Sequence, residues 1–144
     1  MLVRDVLARK GDNTADVSPE TTVAELVRLL AERNIGAAVV CHEDRVVTGI
    51  VSERDVVRAL ADNPEALLAG PVSAIMTRDP VTTTPGATVE ELMGVMTERR
   101  IRHIPVIVDG RLGGIISIGD AVKSRMDQLE SEREHLIGYI SSGG

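Results

Sequence analysis

The sequence predicts a mixed α/β (α+β) fold in which two similar units pack as a pseudo-two-fold pair and a long helix follows. Three observations support this prediction. The chain repeats itself, each copy alternates helix-like and strand-like segments, and the apolar faces of one copy are too large for that copy to cover alone. With 144 residues, 43% of them hydrophobic, the chain is long enough to bury a shared core.

The repetition is clearest in two heptapeptides, GIVSERD at 49–55 and GIISIGD at 114–120. The repetition extends well beyond them. VRDVLAR in the first copy corresponds to VSAIMTR in the second, and SPETTVAELVRLLAERNI corresponds to TPGATVEELMGVMTERRI. The small drift in offset between the copies places the length differences in connecting segments, where they are tolerated. We assign repeat 1 to 1–61, a linker to 62–71, repeat 2 to 72–126 and a C-terminal extension to 127–144.

Each copy predicts a helix, a short strand and then a second helix that starts at a capping box. The boxes are Thr22 with Glu25 and Thr88 with Glu91, whose side chains bind free backbone N–H groups at a helix start. Apolar residues recur at helical spacing behind each box. Two β-branched runs separated by polar turn residues then predict a hairpin, AAVVC with TGIVS and IPVIV with GGIIS.

A last helix opens at Asp55 in repeat 1 and at Asp120 in repeat 2. In repeat 2 the apolar spacing continues through Met126, Leu129 and Leu136, with Arg133 at a seam position, which predicts a long final helix. This helix either folds back on its own domain or pairs with a second subunit. The terminal SSGG is expected to fray.

Composition excludes several function classes. A net charge of −6 and a pI near 5.1 give little reason to bind nucleic acid or an anionic membrane, and 1% aromatic residues leave no platform for stacking bases. No apolar run reaches the roughly 20 residues that cross a bilayer. The single cysteine, Cys41, cannot form an internal disulfide, and no secretory signal begins the chain, so we expect a cytoplasmic protein.

We predict no metal site and no catalytic site. The four neighbouring residues 41–44, CHED, point in alternate directions on an extended segment and cannot converge on one ion. Cys41 has only His42 as a nearby base, and a small buried strand residue is its ordinary role. A nucleotide hydrolase that uses Asp55 or Asp120 remains the enzymatic alternative.

The repeated heptapeptide has two interpretations. Ser-x-x-Asp resembles a capping box, which a duplication would copy as faithfully as a binding site. Alternatively, the free N–H groups at a helix start attract phosphate, a first-turn carboxylate accepts hydrogen bonds from ribose hydroxyls, and the leading glycine lets a ligand approach the strand. The residues alone do not decide between a cap and a nucleotide site.

The tandem units, each ending in Gly, two apolar residues, Ser or Thr, two variable residues and Asp, resemble the cystathionine β-synthase (CBS) domain family. The resemblance runs from Val3 to about Met126 and is strongest in RIRHIPVIVDGRLGGIISIGD. Such a pair forms a Bateman module, and the resemblance implies adenine nucleotides or related ligands bound in clefts between the units. It also implies a homodimer.

The resemblance further implies a set of binding residues. Asp55 and Asp120 would hold ribose, and Ser52 and Ser117 would lie near phosphate. Adenine would be flanked by Ala15 and Asp16 or by Val81 and Thr82. Arg102 and His103 precede a strand of repeat 2 where phosphate contacts are common, and Arg54 is a candidate phosphate ligand in repeat 1. For these last three residues a solvated surface or an acidic partner is the alternative.

The sequence therefore predicts a non-enzymatic regulatory sensor that requires no cofactor. Its candidate ligands are AMP, ADP, ATP and NAD(H), and its effector is another, unidentified protein. A ligand that bridges both repeats would favour one relative orientation of the two and thereby transmit a signal. The alternative is a structural or protein-interaction dimer that binds no nucleotide physiologically.

Overall fold

A computed structural model describes residues 1–11 and 14–143 and confirms the mixed α/β fold with a long C-terminal helix. The first elements are α1 (Val3–Lys10), β1 (Asp16–Val17), α2 (Val23–Arg33), β2 (Ala37–Cys41), β3 (Val47–Ser52) and α3 (Glu53–Asp62). They are followed by α4 (Pro64–Leu67), β4 (Thr77–Arg78), α5 (Val89–Arg99), β5 (His103–Val108), β6 (Arg111–Ser117) and α6 (Ile118–Gly143). Short 3₁₀ turns cover Glu43–Arg45 and Val72–Ala74.

The described strands form a four-stranded sheet in the order β1-β2-β3-β4 and a two-stranded sheet of β5 and β6. β1 runs parallel to β2, and the other neighbours are antiparallel. Both predicted hairpins are present. Their strand pairs are equivalent, since Ala37 lies opposite Ser52 and His103 lies opposite Ser117. Each hairpin therefore brings the start of its first strand next to the heptapeptide serine.

Repeat 2 departs from the predicted pattern at its beginning. Its leading segment is the 3₁₀ turn Val72–Ala74, whereas α1 is a regular helix of eight residues. Asp5 explains part of this difference, because its carboxylate accepts a hydrogen bond from the Leu2 N–H at the start of α1, and Ala74 occupies the equivalent position in repeat 2. The predicted short strand of repeat 2 is reduced to a single parallel bridge between Thr83 and Val106.

The two repeats exchange their leading segments. The N–H of Val3 donates to the carbonyl of Ala87 in repeat 2, and a bridge joins Leu2 to Thr88. Reciprocally, the N–H of Val72 donates to the carbonyl of Thr21 in repeat 1. Each repeat thus completes its fold with the beginning of the other.

The buried side chains follow the same exchange. The first core consists of Ala15, Val23, Leu26, Leu30, Ala38, Val40, Val51, Val56, Leu67 and Val72. The second core consists of Val3, Val6, Val89, Leu92, Met96, Ile104, Val106, Ile116 and Ala121. Between them, strand residues of both hairpins pack together, namely Val39, Cys41, Leu112 and Ile115. The predicted linker adds a short helix, α4, whose Leu67 belongs to the first core.

The second half of α6 extends away from both cores. Ala121 and Ser124 are buried near its start, whereas every residue from 129 to 142 is exposed. The helix therefore does not fold back on its own domain, which was one of the two predicted arrangements.

Candidate functional site

Ser52 and Asp55 form the predicted capping box at the junction of β3 and α3. The Ser52 N–H donates to Asp55 Oδ2 at 2.8 Å, and the Asp55 N–H donates to Ser52 Oγ at 3.3 Å. The Ser52 hydroxyl also donates to Asp55 Oδ2, at 3.1 Å. The repeated serine and aspartate are thus a genuine helix cap in the structure.

Ser117 and Asp120 repeat this cap at the start of α6, with a lysine added. The Ser117 N–H donates to Asp120 Oδ2 at 2.9 Å, and the Asp120 N–H donates to Ser117 Oγ at 3.1 Å. Lys10 Nζ lies 2.7 Å from the same Oδ2 and 2.9 Å from the carbonyl oxygen of Ile115. Although burial opposes it, the hydrogen bonds from Lys10 and Ser117 lower the pKa of Asp120 below its usual value.

The cap leaves part of each carboxylate unused. All hydrogen bonds to Asp55 and Asp120 from the described residues reach Oδ2. Within that part of the chain, Oδ1 of each aspartate has no donor. A carboxylate offers about four lone-pair sites, so the capping role is compatible with accepting a further hydroxyl hydrogen.

The leading glycine of each heptapeptide, Gly49 or Gly114, lies against a side chain of the opposite repeat. The sequence alone had suggested that these glycines allow a ligand to approach the strand. A Cβ atom on Gly114 would lie 2.6 Å from Leu7 Cδ2, and one on Gly49 would lie 2.6 Å from Met76 Sδ. Leu7 and Met76 belong to the two exchanged leading segments. The glycines recur because each leading segment packs directly on the opposite repeat's last strand.

His103 lies where the two repeats meet. A Cβ atom on Gly36, at the edge of repeat 1, would lie 3.6 Å from its imidazole Cε1 and Nε2 and 3.5 Å from Glu53 Oε1. Burial and then the charge of Lys10 lower the pKa of His103, although Asp120 and Glu53 act in the opposite direction. The imidazole is therefore neutral near pH 7.

The remaining predicted residues are distributed unevenly. Arg54 and Arg102 are exposed, each next to one of the helix starts. Ala15 is only 3% exposed and belongs to the first core, and Asp16 is exposed beside it. Val81 is half-buried. Thr82 lines a cleft of about 310 Å³ together with Val46, Val47, Asp79, Pro80, Ile107 and Gly110.

The sequence interpretation missed two residues at this site, Lys10 and Glu53. Lys10 is one of only two lysines in the chain and stands at the end of the first repeated segment, where repeat 2 has Asp79. That charge reversal was a visible signal. Glu53 lies inside the first heptapeptide, but only the fold shows that it faces His103 of the other repeat.

The remaining observations concern the Cys41 thiol, metal ligands and membrane-spanning helices. Burial raises the pKa of the Cys41 thiol to about 11, so this group is a poor nucleophile at neutral pH.

Across residues 1–11 and 14–143, no three His, Cys, Asp or Glu side chains are grouped in a way that could hold a metal ion. Over the same ranges, no helix combines the length and apolar character required to cross a bilayer.

Comparison with known sequences identifies both repeats. The model of the CBS domain matches residues 3–62 and again residues 72–127. A mitochondrial CBS domain-containing protein of Arabidopsis thaliana is 35% identical over 150 aligned positions, which cover 98% of this chain and 72% of that protein.

Solved structures show the same architecture. The crystal structure of a CBS-domain-containing protein from Agrobacterium tumefaciens superposes with a TM-score of 0.82 at 45% identity, covering 87% of this chain and 99% of that one. A CBS domain protein from Pyrobaculum aerophilum, solved in complex with AMP, superposes with a TM-score of 0.74 at 29% identity, covering 83% and 89% of the two chains. The paired repeats are thus shared with known CBS pairs.

Proposed function

Because the chain belongs to the CBS domain family, we propose that it is a regulatory module that binds an adenosyl ligand in the clefts between its two repeats. The observation that carries this proposal is the pair of equivalent aspartates at the starts of α3 and α6. Oδ2 of each aspartate accepts the hydrogen bonds of its own helix cap. Oδ1 of each accepts no hydrogen bond from the described residues, so it is available to a ligand. An AMP complex of a structural relative supports the choice of an adenine nucleotide.

We assign ribose recognition to Asp55 and Asp120. The two hydroxyls of a ribose donate hydrogen bonds, and an ionised carboxylate with a free oxygen accepts them strongly. The low pKa of Asp120 keeps that group ionised across the physiological range. Ser52 and Ser117, at the same two helix starts, stand where free backbone N–H groups favour a phosphate.

The residues at the meeting point of the repeats are our candidates for the phosphate and adenine contacts. Arg102 and His103 lie beside Asp120, and Arg54 lies beside Asp55. Val81 and Thr82 would contact adenine in one cleft, and Asp16 with the backbone of Ala15 in the other. The Ala15 side chain itself faces the first core. AMP, ADP, ATP and NAD(H) share the adenosyl part on which this assignment rests.

We propose that the signal is passed to another protein. Ligand that touches both repeats would stabilise one relative orientation of the two, and only such a difference in affinity can shift a conformational equilibrium. In this proposal the module is a cytoplasmic homodimer without catalytic activity. Release of product from ATP and Mg²⁺ by the purified protein would contradict the non-catalytic part.

A nucleotide panel in a thermal unfolding assay tests the proposal. A ligand present at about 100 times its dissociation constant adds roughly 2.7 kcal/mol to the free energy of unfolding, which raises Tm by several degrees. If none of AMP, ADP, ATP and NADH raises Tm, the alternative of an interaction dimer that binds no nucleotide is favoured.

Two substitutions locate the site by isothermal titration calorimetry. In Asp55→Asn and Asp120→Asn the amide oxygen retains part of the cap, but the charge is lost, so we expect the affinity of one cleft to fall by about 1.5–3 kcal/mol in each variant. Glu91→Gln is the matched control, because Glu91 caps α5 in the same way and lies outside both heptapeptides. Unchanged titrations in both aspartate variants would contradict the assignment.

A further inference from the structure

Lys10 makes the two aspartates inequivalent. It stands at the end of α1, the segment that repeat 1 contributes to the second core, and its ammonium group reaches Asp120. The side chains of Lys10 and Asp120 are 25% and 24% exposed, so solvent screens their attraction less than that of a surface ion pair. Among the described residues, Asp55 has no such cation.

The duplication gives a natural comparison for this lysine. Val3 corresponds to Val72, and the same offset places Lys10 opposite Asp79 of repeat 2. Asp79 is exposed and lines the cleft that contains Thr82. The two copies therefore carry opposite charges at this position, and only the Asp120 end has the lysine.

The hydrogen bonds of Lys10 leave one donor available. A lysine ammonium group has three N–H bonds. In the described part of the chain two are used, by Asp120 Oδ2 and by the carbonyl oxygen of Ile115. The third can bind an additional acceptor without breaking the ion pair, and an anion is the partner that a cation with a spare donor favours most.

The position of this donor determines what it would contact. In the binding pose that the proposal requires, Asp120 Oδ1 accepts from the ribose hydroxyls and the C5′ substituent of the same ribose is directed toward Lys10 Nζ, which is bound to Oδ2. A phosphate oxygen on C5′ would accept a hydrogen bond from the third N–H of Lys10, and the positive charge of the ammonium group would strengthen this bond. An uncharged thioether on C5′ offers only a weak acceptor.

Resting on the proposed function, we propose that Lys10 is a specificity-determining residue that makes the Asp120 cleft prefer adenosyl ligands with a C5′ phosphate over those with an uncharged C5′ group. The lysine comes from repeat 1 and the aspartate from repeat 2, so the preference exists only when the leading segment is docked on the opposite repeat.

Calorimetric titration with AMP and with 5′-methylthioadenosine tests this preference, using Asp55→Asn as a common background so that the Asp120 cleft dominates. We expect Lys10→Gln to weaken AMP binding by about tenfold or more, the loss of one charge-assisted hydrogen bond, and to change 5′-methylthioadenosine binding by less than about threefold. Lys10→Arg should restore most of the AMP preference. Lys123→Gln removes the other lysine, which is exposed on α6, and should leave both affinities unchanged.

The outcomes separate this inference from the proposed function. If the unmodified protein binds neither compound, the proposed function itself fails. If the unmodified protein binds AMP and the Asp55→Asn background does not, the Asp120 cleft is not a binding site and the role of Lys10 is refuted. If the background protein binds AMP and Lys10→Gln retains the same ratio of AMP to 5′-methylthioadenosine affinity, only the role of Lys10 is refuted. Should Lys10→Gln not fold, the Nζ resonance of Lys10 in the unmodified protein decides: AMP, and not 5′-methylthioadenosine, should shift it while the Lys123 resonance stays in place.

Discussion

The surroundings of His103 give it a different charge state from the one that its residue type and its neighbour Arg102 suggest. From the sequence, Arg102 and His103 together are candidate contacts for a phosphate group. In the structure, burial and the nearby Lys10 lower its pKa, so the imidazole is neutral at pH 7. Its contribution to a phosphate site is then one N–H donor at neutral pH, and a positive charge only when a bound anion or acid favours protonation.

This neutral state has a measurable consequence for stability. The pKa of His103 is lower in the folded than in the unfolded protein, so below the unfolded value of 6.5 the unfolded chain binds a proton that the folded chain does not. We expect the stability contributed by the neutral imidazole to be complete above pH 6.5 and to decline below it, by at most about 1.4 kcal/mol per pH unit. Denaturant unfolding at pH 7.5 and 5.5 should show a smaller loss in His103→Gln, and equal losses would contradict the shift.

At the level of residues, the sequence pattern identified the serine and aspartate that occur in both copies of the heptapeptide. Asp55 and Asp120 stand at equivalent helix starts, as the spacing of the heptapeptides predicts. Lys10 could not be placed, because its contact with Asp120 spans 110 positions and depends on how α1 docks. The heptapeptide glycines were visible, but their cause, the side chains of Leu7 and Met76, was not.

Among the elements, the leading segments have the largest effect on the architecture. Val3 is fully buried in the second core, and Val72 is fully buried in the first. Local patterns predicted the capped helix starts and the hairpins correctly, since these depend on neighbours in the chain. The Thr88–Glu91 box forms in full, whereas in the Thr22–Glu25 box only the Glu25 N–H to Thr22 Oγ1 hydrogen bond is present among the described residues. Local patterns could not predict which core a leading segment joins, because amphipathic spacing specifies that a face is buried and not what covers it.

A matched pair of substitutions tests the exchange of leading segments. Val3→Ala and Val72→Ala should each lower the free energy of unfolding by about 2 kcal/mol, because each removes buried methyl groups and leaves a cavity. In NMR spectra we expect Val3→Ala to shift the amides of α5 and β5, and Val72→Ala to shift those of α2 and β2. Shifts confined to the repeat that carries the substitution would rule out the exchange.

On the scale of the whole molecule, the outer part of α6 is exposed and is not covered by any other residue that the structure describes. Leu136, Ile140 and Met126 are 60%, 63% and 63% exposed, and the residues from 129 to 142 are all exposed. The apolar side chains whose spacing predicted this part of the helix are therefore not buried against the described residues. Of the two arrangements that the sequence allowed, pairing with a second subunit is the one that would bury these side chains.

We expect the protein to sediment as a dimer through this helix. The double substitution Leu136→Glu and Ile140→Glu should produce a monomer in analytical ultracentrifugation, because it places four charges in the paired seam. The unfolding temperature, extrapolated to low protein concentration, should change little, since neither side chain belongs to a core. A dimer that persists would place the contact on the repeats themselves and contradict pairing through the tail.

The exchanged leading segments also bear on the ancestry of the chain. Two separate copies of one ancestral repeat, each contributing its leading segment to the core of its neighbour, would have formed the same two cores as a symmetric swapped pair. Fusion of their genes then needed only a connection such as the segment 62–71 to make the association permanent. Once the copies shared one chain, each could mutate alone, and lysine at position 10 opposite aspartate at position 79 is the kind of divergence that a strictly symmetric ancestor could not have had.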